Sequence, residues 1–131
     1  RNTRDARVSI HHCAACALLL GKAGVPEFED AAVFRTDIVS LREKVGAALD
    51  ASLADGAARV TIQLTSGETF SEIVMAAKGS LADPLSDRDI EAKLRECARL
   101  GGSDWDIDRI IDNIWRLDTF ADVSGLMRPQ G

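Results

Sequence analysis

The chain has 131 residues, 46% of them hydrophobic and 28% charged, an ordinary balance for one folded domain and a poor one for disorder. Its net charge is −5, with Lys and Arg scattered along the sequence; a nucleic-acid surface, which needs clustered positive charge to displace counterions, is therefore not expected. The longest apolar run, residues 13–20, has eight residues, against the roughly 18 that a membrane span requires.

The first expected element is a helix over residues 3–20. Ile10, Cys13, Ala14, Ala17 and Leu18 recur at helical spacing, and Ala15, Cys16, Leu19 and Leu20 are apolar too, so this helix is expected to be buried nearly all round. Gly21 is placed to stop it. A loop with Pro26 follows, and then a short helical stretch over residues 29–41 that periodicity alone does not settle.

A small sheet is expected next. Its first strand is assigned to residues 44–49, despite their Gly and Ala content. Residues 59–64 read more clearly as a strand, with Val60, Ile62 and Leu64 on one face and Thr61 and Gln63 on the other. Thr65-Ser66-Gly67-Glu68 then has the composition of a hairpin turn, with Gly67 free to take positive φ. The returning strand, residues 69–75, loses the alternation: Phe70 and Val74 share one face, Ile73 and Met75 the other. Either both faces are covered or a bulge near Glu72 resets the phase, and coverage on both faces is the expectation.

Two helices with start signals close the chain. Ser86 stands three residues before Asp89, and Ser103 three before Asp106, the spacing of a capping-box variant. Ile90, Leu94, Cys97 and Ala98 form the first apolar stripe, ended by Gly101-Gly102; Ile107, Ile110, Ile111, Ile114 and Trp115 form the second. The tail after Asp122 is expected to add a turn through Leu126 and end at Pro129. No internal repeat is visible. The class is α+β, a small sheet with a hairpin (about residues 44–49, 59–64 and 69–75) packed with an N-terminal buried helix and two C-terminal helices.

Chemistry is sparse. His11-His12-Cys13-Ala14-Ala15-Cys16 has the spacing of a zinc or redox motif. A zinc ribbon, however, needs a second ligand pair, and only Cys97 remains; a redox C-x-x-C follows a strand, whereas this one lies inside a helical run. Core packing is the better account of these cysteines. Three Cys, an odd number, also fit a secreted disulfide scaffold poorly, so a reducing, cytoplasmic setting is expected. His11 and His12 point about 100° apart on a helix. Arg7 and His11, four apart with Ser9 nearby, place a cation and an imidazole at a helix start, where they could bind and protonate a carboxylate; the alternative is a solvated helix edge. Asp104, Asp106, Asp108 and Asp112 lack the glycine and terminal Glu of a calcium loop, and Asp104 and Asp106 coincide with a helix start instead.

The order of segments resembles a known family. Arg7-Val8-Ser9, followed by Ala14-Ala15-Cys16-Ala17-Leu18-Leu19-Leu20-Gly21, looks like the late helix of MmgE/PrpD proteins. Val60-Thr61-Ile62-Gln63-Leu64-Thr65-Ser66-Gly67 is similar to the family's strand and turn. Lys78-Gly79, Asp83-Pro84-Leu85-Ser86 and Asp89-Ile90-Glu91-Ala92-Lys93-Leu94-Arg95 resemble its "KG…PLS…DL…KF" signature, and Ile114-Trp115-Arg116-Leu117 with Asp122-Val123 and Leu126 its ending. The likeness runs from about residue 6 to residue 127.

The resemblance implies an enzyme of the group that includes 2-methylcitrate dehydratase, cis-aconitate decarboxylase and an iminodisuccinate epimerase. These act on small di- or tricarboxylates by acid–base proton transfer, usually without metal or organic cofactor, and are typically dimers of a large helical and a smaller α+β domain. Residues 1–80 would then end the α+β domain, and residues 81–131 would supply C-terminal helices that pack on a helical domain outside this chain. Most of the family's catalytic His and Lys residues have no counterpart here, so the chain is expected to be a C-terminal piece, inactive alone. The first residues, Arg1-Asn2-Thr3-Arg4 without Met, suit that expectation. The resemblance brings the segment from Arg7 to His12 toward the substrate, which makes Arg7, Ser9, Ile10 and His11 the candidate cleft residues. The sequence departs from the family at Val8, where His is common, and at Ile10, His11 and His12, where aromatics are common; a changed cleft wall fits a changed substrate and equally a divergent member of no assignable activity. The alternative function is a non-catalytic binding or oligomerisation module.

Overall fold

The structure, a computed structural model, describes residues 3–124; the turn expected through Leu126 and Pro129 lies outside them. The chain divides into two compact units, Arg1–Ser52 and Leu53–Gly131.

The first unit is helical. Helices α1 (Thr3–Ala6), α2 (Ile10–Leu20), α3 (Asp30–Val33) and α4 (Thr36–Arg42) are joined by short turns, one of them a 3-10 turn at Val25–Phe28. The single helix expected over residues 3–20 is broken at Arg7-Val8-Ser9. The cause is local: Ser9 is extended (φ −99°, ψ 108°), and its hydroxyl accepts the His12 backbone N–H at 3.2 Å, so a new helix starts there. Gly21, at φ 70°, ends α2 with its N–H donating to the Ala17 carbonyl. The stretch expected over residues 29–41 is helical, interrupted at Phe34-Arg35.

Burial of α2 is one-sided, not the all-round burial its composition suggested. His12, Ala15 and Cys16 are buried, while Cys13, Leu18 and Leu19 are exposed. Ala15, Cys16 and Ile38 form the core, with Leu20, Ala23, Ala32 and Leu41 packed against it. Small residues at 15 and 16 let α4 approach closely enough for Ile38 to be fully enclosed. Glu27 is buried too, its charge met by the Gly24 N–H at 2.8 Å and Lys22 Nζ at 3.4 Å.

The second unit holds an antiparallel hairpin, β1 (Ala58–Gln63) and β2 (Thr69–Val74), and two helices, α5 (Asp87–Leu100) and α6 (Ile107–Trp115). The strand expected over residues 44–49 is not formed: these residues are turn and irregular chain. Gly46, Ala47 and Ala48 offer little side chain to pack on a sheet, so Val45 has no β-forming neighbours beside it. The hairpin turn is as expected. Gly67 donates to the Leu64 carbonyl at 2.9 Å and has φ 90°, and Leu64 donates to the Glu68 carbonyl at 2.8 Å, a type I turn closed by a left-handed glycine.

The register runs from Ala58↔Val74 to Gln63↔Thr69 with no unpaired residue, so no bulge exists. Cross-strand partners share a face, which puts Ala58, Val60, Ile62, Phe70 and Val74 together with Glu72 on one side. Within β2 the pattern is broken by Glu72, polar on the apolar face, and by Ile73, apolar on the other; Met75 lies beyond its end. Coverage of both faces is not observed: every β2 residue is exposed, and Val60, Phe70 and Val74 are 49%, 51% and 48% exposed.

Helix α5 starts at the Ser86–Asp89 capping box. Ser86 Oγ accepts the Asp89 N–H at 3.2 Å, and the Asp89 carboxylate accepts the Ser86 N–H at 3.0 Å. The Ser86 hydroxyl and N–H hold the Asp89 carboxyl below its ordinary pKa range. The second box expected, Ser103 with Asp106, is not formed. Asp106 itself caps α6 by accepting the Arg109 N–H at 3.0 Å, and Ser103 accepts only from Trp105 N. Of the expected stripes, Ile110 and Ile111 are buried, whereas Ile90, Ile114 and Trp115 are exposed. Polar bonds tie the pair instead: Arg95 Nε to Asp108 at 2.9 Å, and Trp115 Nε1 to Glu91 at 2.8 Å. Among the described residues no helix is long and apolar enough to cross a membrane.

Candidate functional site

A cleft of about 630 Å³ opens in the first unit, lined by Asp5, Ala6, Ser9, His11, Arg42, Glu43 and Val45. Its walls follow from the breaks in the helices. The Ser9 cap redirects the chain after α1, so that α1 contributes Asp5 and Ala6 while the first turn of α2 contributes His11. The end of α4 supplies Arg42 and Glu43 from the opposite direction in sequence.

Of the four residues singled out from the sequence, the structure brings Ser9 and His11 to this cleft. Ile10 is not among the lining residues and is 62% exposed. Arg7 lies in the turn before α2, so it does not share a helical face with His11; its guanidinium pairs with Glu29 at 3.8 Å, both side chains largely exposed.

Behind the cleft wall sits His12, fully buried. Its Nε2 is 2.8 Å from the Glu27 carbonyl oxygen and its Nδ1 is 3.5 Å from Arg42 Nη1. A carbonyl only accepts and a guanidinium only donates, so these partners assign the proton to Nε2 and leave Nδ1 as the acceptor. Phe28 packs edge-on against the ring at 5.2 Å. Cys16 Sγ lies 3.4 Å from the same Nε2, a spacing that superficially suits an activated thiol. Burial, then the charges of Glu27 and Cys13, push the Cys16 thiol above its ordinary pKa. The ring nitrogen nearest the thiol, Nε2, already carries a proton that it donates to the Glu27 carbonyl, so it cannot take one from Cys16. Burial and these partners mark Cys16 as a core residue.

The four side chains of the His11-His12-Cys13…Cys16 segment do not converge on one point. Cys13 is exposed, Cys16 is buried, and His11 and His12 face different surroundings. Among the described residues no three His, Cys, Asp or Glu side chains are grouped as metal ligands.

Arg42 was not singled out from the sequence. It is partly buried, and its Nε is fully enclosed without a hydrogen-bond partner. No carboxylate among the described residues lies within ion-pair distance of its guanidinium. Thirty residues separate it from His12, and nothing in the local pattern of α4 distinguishes it from a solvated Arg in a last helical turn, where a cation is favoured anyway. A cleft carrying one unpaired guanidinium, an imidazole and a hydroxyl can seat an anion and handle a proton beside it.

The family model described as MmgE/PrpD C-terminal domain matches residues 1–117, a span that contains the cleft, the hairpin and both α5 and α6. No curated protein matches the chain.

Proposed function

Because the chain belongs to the MmgE/PrpD family, as a C-terminal domain of it, we propose that it forms one wall of the substrate cleft in a longer lyase or isomerase. That enzyme acts on a small di- or tricarboxylate by acid–base proton transfer, works as a homodimer in the cytoplasm, and requires the remaining domain for activity. In this reading residues 81–131 carry the helices that pack on that domain.

The observation that supports it is the meeting of Ser9 and His11 with Arg42 on one cleft wall. Removing a proton beside a carboxylate builds negative charge where charge already exists. A fixed cation opposite that carboxylate lowers the cost of the transition state. An imidazole within reach gives or takes the proton, and a serine hydroxyl orients the substrate. The other acid and base are assigned to the domain outside this chain.

The test uses the full-length protein carrying this chain, incubated in D₂O with citrate, 2-methylcitrate and malate, with loss of the C–H beside each carboxylate followed by proton NMR. Exchange or turnover of at least one compound by the full-length protein, and none by the chain alone, is expected. A full-length protein inert to all three removes the reading, as does an isolated chain that matches its rate. An assembly module is the second reading, favoured by the exposed Val60, Phe70 and Val74 of the hairpin; it is the one left standing if the full-length protein is inert yet dimeric.

A further inference from the structure

We infer that Arg42 is the carboxylate anchor of the cleft and that His12, buried behind it, is its positioning residue. The inference rests on the polycarboxylate reading only for the identity of the ligand; the anchor itself follows from the geometry.

A guanidinium is costly to take out of water unless its donors and its charge are met. Three other cations of the first unit are paired: Arg35 has Asp37 at 2.6 Å, Lys22 has Glu27, and Arg7 has Glu29. Arg42 is not. Among the described residues its Nε is enclosed and unpartnered, its one hydrogen bond is a long contact from Nη1 to His12 Nδ1, and no carboxylate pairs with it. The same residue lines the cleft. An anion seated there would supply the missing charge, and a planar carboxylate matches the fork of a guanidinium. Asp5 and Glu43 also line the cleft and Arg42 is the one Lys or Arg among its described lining residues, so one carboxylate of the ligand docks at Arg42 while its other polar groups face the acidic side.

His12 serves this by being immovable. Its ring is fixed by the Glu27 carbonyl at Nε2 and by Phe28 at its edge. The resulting tautomer offers Arg42 an acceptor at Nδ1, and a guanidinium held in one orientation loses less freedom when the ligand arrives. His12 touches no ligand in this scheme and acts only through Arg42.

The experiment is a titration of the full-length protein carrying this chain with citrate, inorganic phosphate and acetate, followed by ¹H–¹⁵N NMR of backbone amides and of the Arg42 Nε–H, with affinities from calorimetry. Saturable citrate binding that moves the Ser9, His11 and Arg42 signals is expected. Arg42→Gln should weaken it about tenfold to a hundredfold, the effect of losing a charge-assisted pair. His12→Asn, which keeps an acceptor near the Nδ1 position, should bind citrate within about threefold of the parent, and His12→Phe should lose about tenfold. Thermal melting of each variant reports whether it is folded, and Arg42→Gln decides the anchor even if a His12 variant is not. Citrate binding unchanged by Arg42→Gln overturns the anchor and leaves the polycarboxylate reading in place. Arg42-dependent binding of phosphate as tight as citrate upholds the anchor and removes that reading's support. Equal affinity of folded His12→Asn and His12→Phe overturns the positioning role, and no response to any probe overturns the whole inference.

Discussion

At the scale of single residues, charge and burial divide the side chains that sequence made look alike. Arg35 and Asp37 are exposed, yet two hydrogen bonds from the guanidinium, at 2.7 and 2.6 Å, draw the Asp37 carboxyl from its ordinary 3.8 to about 2, helped by the Ile38 N–H. The folded value is the depressed one, so the contribution to stability is complete above the ordinary value and fades as pH falls through about 2. Carboxyl ¹³C NMR should therefore find Asp37 still ionised at pH 3, and Arg35→Gln should return its midpoint toward the ordinary value; a midpoint unaffected by that substitution would show that the bond is not made in solution. His11 and His12 are a sharper contrast. Adjacent in sequence, one lines the cleft and the other is sealed behind it, as the 100° step of a helix requires. Sequence supplied the two directions but not which way each pointed. Arg42 was illegible for a different reason: its significance is a contact with a residue on another helix, and no local spacing encodes that.

At the scale of elements, cap chemistry was legible where one residue alone could do the work. Ser86 and Asp89 satisfy each other's backbone donors and fix the start of α5. At α6 two residues could each have capped, and Asp106, adjacent to the first helical residue, took the role from Ser103. Ser86→Ala and Asp106→Ala should each cost about 1 kcal/mol, whereas Ser103→Ala should cost only a few tenths, all read from denaturant midpoints with amide exchange in the first turn of each helix; equal losses at Ser103 and Asp106 would contradict the cap assignment. The break at Ser9 was hidden by the strength of the pattern around it. Apolar residues at helical spacing on α2 masked a serine whose side chain prefers to bond the backbone and begin a helix. The absent strand over residues 44–49 shows the reverse, a pattern too weak to define itself without neighbours.

At the scale of the whole molecule, the balance between what is enclosed and what is not decides behaviour. Among the described residues only Ala6, Ala15, Cys16, Val33, Ile38, Ile110 and Ile111 form the buried apolar set, while Val60, Phe70, Val74, Met75, Ile90, Ile114 and Trp115 are exposed. So much exposed apolar surface is unusual for a protein that stays alone in water. The chain should bind a dye such as ANS and gain mass with concentration in sedimentation velocity, and Phe70→Ser should reduce both effects; a strict monomer that leaves the dye dark would refute this. The two-stranded hairpin adds a kinetic side to the matter. Each of its strands is an edge, because no third strand joins it among the described residues, and each edge carries backbone groups that can template another chain. Closing the hairpin takes microseconds and does not depend on concentration, but pairing with a second molecule speeds up with every increase in it. How crowded the chain is while those edges are bare therefore sets how fast one copy adds to another.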